Sequence, residues 1–148
     1  MKEIERKFLV ECLPEDLEKY PRARIEQGYL CTDPVVRVRR RGEEFWLTCK
    51  GPGLLTREEF ELPLSEEAFA SLMGKTEGTV IRKDRYLIPW GEYTVELDVF
   101  DEPIAPLVVA EVEFPSEEEA AAFVPPHWFD RDVTGEPEYT NAALSRGI

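Results

Sequence analysis

Three shortages set the first limits on this chain of 148 residues: long apolar runs, histidine, and basic residues. No stretch stays apolar for the ~20 residues that a bilayer-spanning helix needs, which excludes that kind of membrane protein. The opening Met1-Lys2-Glu3-Ile4-Glu5-Arg6-Lys7 is too charged for a secretory leader, so a cytoplasmic location with no membrane partner is expected. The single histidine, His127, lies between Pro126 and Trp128 and reads as a packed or solvated residue, which leaves a His-based phosphoenzyme without support. Cys12, Cys31 and Cys49 are odd in number and lack metal-ligand spacing, as suits reduced thiols. Lysine and arginine total 18 against 31 acidic residues, a net charge of −13, which argues against a nucleic-acid partner. A chain so acidic can handle a polyanion only if its few cations are gathered in one place.

Long helical periods are scarce as well, and short alternating segments fill the chain. Strands are expected at Ile4–Glu11, Arg24–Cys31, Val35–Arg41, Glu44–Gly51, Arg57–Pro63, Thr79–Pro89, Tyr93–Phe100 and Leu107–Phe114. Asp33-Pro34, Gly42-Glu43 and Trp90-Gly91 are the turns expected between neighbours, implying antiparallel hairpins. Helices serve as connectors: Glu15–Tyr20 between two prolines, Ser65–Met73 behind a serine cap, a capping box at Ser116–Glu119, and a last helix after Thr140. Nothing divides residues 1–148 into more than one domain, and the hydrophobic content (43%) suffices for one core. This order of elements fits a barrel dominated by β-structure, with short helices packed outside.

Side chains two apart on a strand share a face. Glu3, Glu5 and Lys7 therefore oppose Ile4 and Phe8, while Arg37, Arg39 and Arg41 oppose Val36 and Val38. The same separation sets Trp46, Thr48 and Lys50 together, likewise Arg57, Glu59 and Glu61, then Lys83 with Arg85, Glu96 with Asp98, and Glu111 with Glu113. Alternation alone favours the plain reading of a sheet with one face in water. Two features count against it. The charges are sorted by strand, cations on some and paired carboxylates on others, although like charges repel. The helices, moreover, can cover the apolar faces from outside, which turns the charged faces inward. Such an interior has to be neutralised: a polyphosphate would answer the cations, and divalent metals the carboxylates.

Glu3-Ile4-Glu5-Arg6-Lys7 resembles the N-terminal ExExK signature of the CYTH superfamily, the triphosphate tunnel metalloenzymes. Further resemblances follow in order at Gln27-Gly28-Tyr29, Arg37-Val38-Arg39, Thr48-Cys49-Lys50-Gly51, Glu59-Phe60-Glu61, Lys83-Asp84-Arg85-Tyr86, Glu96-Leu97-Asp98 and Glu111-Val112-Glu113-Phe114. Val133-Thr134-Gly135 with Tyr139-Thr140-Asn141 is similar to the closing segment of the family, so the likeness spans the chain. It implies a closed eight-stranded antiparallel β-barrel, a tunnel that binds a triphosphate and Mg²⁺ or Mn²⁺. The short bacterial branch, which this chain resembles in length and motif wording, contains inorganic triphosphatases. The wider family includes hydrolases of nucleoside and thiamine triphosphates and class IV adenylate cyclases.

By that resemblance the metal falls to Glu3, Glu5, Glu111 and Glu113, with Glu96 and Asp98 next in line. Glu96 and Asp98, like Glu59 and Glu61, can instead support the ligands, position water or partner the arginines, and Tyr29 reaches Lys7 or the substrate. Lys7, Arg37, Arg39, Lys50, Arg57, Lys83 and Arg85 line the phosphate path. Arg6 and Arg40 fall on the outward faces and are expected at the surface. Trp46 faces inward, where it can stack on a base or simply pack. The leading expectation is a metal-dependent inorganic triphosphatase releasing pyrophosphate and phosphate. The alternatives are a hydrolase or cyclase acting on a tailed triphosphate and a non-catalytic polyphosphate-binding module. A homodimer is left open by the sequence.

Overall fold

The computed structural model describes residues 2–52 and 56–146, the side chain of Lys2 excepted. Eight strands run through it: β1 (Lys2–Leu9), β2 (Arg22–Thr32), β3 (Val35–Arg41), β4 (Glu44–Lys50), β5 (Thr56–Pro63), β6 (Glu77–Trp90), β7 (Tyr93–Phe100) and β8 (Val108–Glu113). They close into a barrel in the order β1-β5-β4-β3-β2-β6-β7-β8, with every pair antiparallel. The first strand makes the seam, pairing Glu3 with Arg57 on β5 on one side, and Glu5 with Glu113 and Lys7 with Glu111 on β8 on the other.

Two-residue loops set the hairpin registers. Gly42 (φ +60°) and Gly91 (φ +62°) supply the left-handed backbone such turns require. The second of these loops is Gly91-Glu92, one residue later than expected, because β6 keeps pairing as far as Trp90.

Helices pack against the wall as connectors. In α1 (Glu66–Met73) and α2 (Glu117–Ala122) the caps Ser65 and Ser116 accept from the amides of Ala68 (3.1 Å) and Glu119 (3.2 Å). The expected capping box on α2 is only half formed, since the Glu119 carboxylate accepts from the Tyr93 hydroxyl. The segment between Pro14 and Pro21 manages one 3₁₀ turn, Leu17–Lys19. Thr140 caps the short α3 (Asn141–Ser145), which contacts β2 and β6.

The main core lies outside the barrel wall. Phe8, Ile88, Val95, Leu97, Ala110, Val112 and Phe114 pack under Ala120 and Phe123, each buried large apolar side chain contributing roughly 1.5–3 kcal/mol. Phe8 meets Phe129 at 4.8 Å, and Phe114 meets Phe123 at 5.2 Å. Arg6, expected as a surface residue, is half-buried here. It donates to the Ala120 carbonyl at 2.9 Å, pairs with Asp132 at 2.7 Å and lies over the Phe8 ring. Arg40 does sit on the outer face, against Phe45 and Glu43. Because the apolar stripe is used on the outside, the charged residues of opposite parity face in.

Candidate functional site

A cavity of roughly 250 Å³ occupies the barrel interior. Its walls carry Lys7, Arg37, Arg39, Lys50, Arg57 and Arg85, and also Glu3, Glu5, Glu96 and Glu111. The segment after β8 adds Thr134, Asn141 and Arg146.

Among the described residues the arginine wall is short of counter-charge. Arg37 is only 5% exposed, and its Nε is buried without a hydrogen-bond partner among the described residues. Arg39 Nε donates to Gln27 Oε1 at 2.7 Å, and Gln27 Nε2 in turn donates to the Tyr29 hydroxyl at 3.2 Å. These bonds hold the guanidinium in place without neutralising it. Burial, with help from Arg37 and Arg85, pushes Arg39 down to about 9, so it stays charged near neutrality. A desolvated, unpaired guanidinium is a strong site for an anion's oxygens.

The carboxylate wall has the opposite excess. Burial and the charges of Glu111 and Glu3 raise Glu5 well above the usual carboxylate range. Burial opposes the charge of Glu111 too, but Lys7, Arg85, Lys83 and Lys50 outweigh it and hold this group well below that range. Lys7 Nζ stands 3.5 Å from Glu111, and Lys50 Nζ 2.8 Å from Glu3 and 3.5 Å from Glu59. Glu3 is lowered on balance, its burial outweighed by Lys50, while burial and the contact with Glu3 raise Glu59. Glu3 and Glu59 therefore compete for one lysine.

Behind the Arg85 side of the cavity lies a closed set. Asp98 accepts from Lys83 Nζ at 2.6 Å and from Arg85 Nε and Nη2 at 2.7 and 2.9 Å. Lys83 and Asp98 are almost wholly buried, and burial lowers Lys83 while Asp98 opposes the shift. Such a buried set is costly to break from one side, and its effect is to aim Arg85 into the cavity.

The CYTH domain family matches residues 1–126. The chain belongs to the CYTH family. This CYTH chain is 43% identical to a protein of Nitrosomonas europaea named inorganic triphosphatase, over 100% of its own length and 99% of that protein. It is 40% identical to an inorganic triphosphatase of Acetivibrio thermocellus, over 97% and 92%. A crystal structure of an inorganic triphosphatase superposes with a TM-score of 0.74 at 39% identity, covering 99% of this chain and 95% of that one. A Pyrococcus horikoshii protein, 21% identical with a TM-score of 0.61 over 81% of this chain and 84% of that one, shares the fold.

Within the CYTH barrel Glu3, Glu5, Lys7, Tyr29, Arg37, Arg39, Lys50, Arg57, Arg85, Glu96 and Glu111 line one space. Lys83 and Asp98 do not; they pair in the wall, where Asp98 also partners Arg85, the second of the roles expected for it. Glu59 stands behind Glu3 on Lys50. Glu61 is exposed near Thr48 (3.4 Å), and Glu113 is exposed at a mouth of the barrel, bordering a separate groove. Tyr29 bonds to Gln27, and the carbonyl of Tyr139 takes Lys7 at 3.0 Å. Trp46 lies opposite Arg39 and Pro63 and is not among the cavity residues. Sequence parity missed Thr32, Thr134 and Arg146, all of which line the cavity. The latter two come from irregular or helical backbone, where a period of two carries no signal.

Proposed function

We propose that this CYTH protein is an inorganic triphosphatase that hydrolyses tripolyphosphate to pyrophosphate and phosphate with Mg²⁺ or Mn²⁺. One observation carries the reading. Two arginines short of counter-charge, the buried Arg37 and the part-buried Arg39, share a cavity with carboxylates in surplus, Glu3, Glu5 and Glu111. The named activity of the Nitrosomonas europaea and Acetivibrio thermocellus relatives supports it.

The carboxylates fit a hard divalent ion. Like charges around Glu5 are what a cation relieves, and all the donors are oxygen. Among the described residues no acidic, histidine or cysteine groups converge three at a time to hold an ion unaided. That suits Mg²⁺, which bridges one or two carboxylates to substrate phosphates. Glu3, Glu5 and Glu111 are the carboxylates that would hold it, one or two at a time together with phosphate oxygens, with Glu96 beside them and the exposed Glu113 at the edge. When bound, the ion supplies charge neutralisation and a more acidic water.

The chain's own residues bind and align. Arg37, Arg39 and Arg85 grip phosphate oxygens, and Lys7, Lys50 and Arg57 add charge along the path. The Tyr29 hydroxyl offers one more hydrogen bond. Held this way, the terminal phosphorus accepts the oxygen of a water, the bridging P–O bond breaks with its electron pair leaving on pyrophosphate, and the water's surplus proton ends on the phosphate products. Free Cys12, Cys31 and Cys49 favour a cytoplasmic setting for this reaction.

Phosphate release from tripolyphosphate, ATP, thiamine triphosphate and pyrophosphate, each with Mg²⁺ and with Mn²⁺, tests the reading. Tripolyphosphate is expected to lead. Preference for ATP or thiamine triphosphate would replace it with a tailed substrate, and tight binding without turnover would make the barrel a polyphosphate-binding module.

A further inference from the structure

The residues lining the cavity differ in charge from one end of the barrel to the other. One end is formed by the β2–β3 turn and by the end of β4 with the start of β5, bringing Thr32, Lys50 and Arg57 to the cavity. Arg146, just past α3, lies here, its Nη1 donating to Thr32 Oγ1 at 2.9 Å. It is exposed and still lines the cavity, so the cavity reaches the surface beside it. No carboxylate lies within ion-pair distance of Arg146 among the described residues, and Glu136, the acid on this part of the lining, is held by Arg131. The opposite end carries the β6–β7 hairpin, where Glu92, Glu96, Glu113 and Glu119 border a groove that shares Glu96 with the cavity. Arg41, near that end, lines neither space.

We propose that Arg146 is the capture residue for the polyphosphate, which enters the barrel past Arg146 and Thr32 and not through the end flanked by Glu92 and Glu113. The inference rests on the triphosphatase reading and adds the direction of access to it. On a chain of net charge −13 an anion is repelled over most of the surface. A rim cation at a narrow opening focuses the approach and acts mainly on the association rate. Behind Arg146 the path leads to Arg37, whose unpartnered Nε is buried in the same cavity. The acidic end offers the polyanion no such gradient.

Equilibrium binding of tripolyphosphate in EDTA and steady-state kinetics with Mg²⁺ test this on wild type, R146A, R146K and E92K. R146A is expected to weaken binding and kcat/KM three- to ten-fold, to leave kcat within two-fold, and to flatten the dependence of kcat/KM on ionic strength. R146K keeps the charge and is expected to recover most of the loss, whereas damage to α3 alone would not be rescued this way. E92K is expected to leave kcat/KM within two-fold. Wild-type binding and salt dependence in R146A, or a gain of three-fold or more in E92K, overturns the proposal. Wild-type protein that binds tripolyphosphate but releases no phosphate would retire the triphosphatase reading while the R146A binding comparison still decides the direction of access. Wild-type protein that does not bind it at all would overturn both.

Discussion

Glu5 and Glu113 stand directly opposite each other across the seam where the first and last strands meet. Both carboxyl groups are raised, burial being the largest cause for each, and the charges that add to it are those of Glu111 and Glu3 on Glu5 and of Glu3, Glu96 and Glu111 on Glu113. The seam thus brings carboxylates of the first and last strands together, Glu5 inside the cavity and Glu113 at its mouth.

The first prediction follows from Glu5. A carboxylic acid whose folded pKa lies above its unfolded value contributes stability below the unfolded value, and loses it as pH rises through the folded one. Because the unfolded chain carries this carboxyl ionised near neutrality, Glu5 weakens the metal-free fold there, and Glu5→Gln removes that effect. The variant is expected to melt about 2–6 °C higher at pH 7.5 in EDTA, roughly 1 kcal/mol for a chain of this size, with the gain fading toward pH 4. Its hydrolysis rate is expected to drop at least a hundredfold. A lower melting point at pH 7.5 would show that Glu5 is held as a stabilising anion.

The second prediction uses strand parity. Arg39 lines the cavity, whereas Arg40 lies outside against Phe45 and Glu43. Losing a buried charge-assisted contact costs about 2–3 kcal/mol, or roughly 30- to 150-fold in kcat/KM. Arg39→Ala is expected to fall in that range and Arg40→Ala within two-fold of wild type. Equal losses would refute the placement of the phosphate path.

The third prediction concerns the contact between β6 and α3. Gly78 has φ +73°, and a Cβ there would lie 2.3 Å from the backbone oxygen of Ser145 in α3. Backbone cannot yield as a side-chain tip can, so Gly78→Ala has to displace α3, at a cost of about 1–3 kcal/mol. Asn141 lies on the same helix, and its Oδ1 accepts from Lys83 at 3.3 Å. A lower melting temperature is expected together with a raised KM for tripolyphosphate; an unchanged KM would mean that α3 does not shape the site.

How much of this was legible in the sequence depends on the period of the backbone. On the strands a period of two identified Arg37, Arg39, Glu3, Glu5 and Glu111 as inward residues, and Val35–Arg41 and Tyr93–Phe100 matched residue for residue. Parity fixes a face but not a depth. It placed Lys83 and Asp98 beside Arg85 without showing that they consume each other in the wall, and it could not show that Glu61 and Glu113 emerge at the rim. Arg6 was misjudged for a related reason. An outward residue is a surface residue only where no helix lies over it, and α2 lies over Arg6. Arg146 follows α3 at the end of the described chain, where no alternating pattern extends.

The last prediction concerns the length of the substrate. Arg37 and Arg39 on β3, Arg85 on β6, Lys50 on β4 and Arg57 on β5 distribute positive charge around one cavity. A three-phosphate chain can meet more of these groups at once than a two-phosphate chain can. Contacts to its remote phosphates provide binding energy that aligns the reacting one. Pyrophosphate would leave part of the cluster without its counter-charge. It is therefore expected to bind as product or inhibitor and to be hydrolysed slowly, with kcat/KM at least a hundredfold below that of tripolyphosphate. The measurement is kcat/KM for both compounds with free Mg²⁺ held constant, alongside inhibition of tripolyphosphate hydrolysis by pyrophosphate. Equal values would sink the chain-length reading, because the cations would then serve a general phosphoric anhydride site and not a path for successive phosphates.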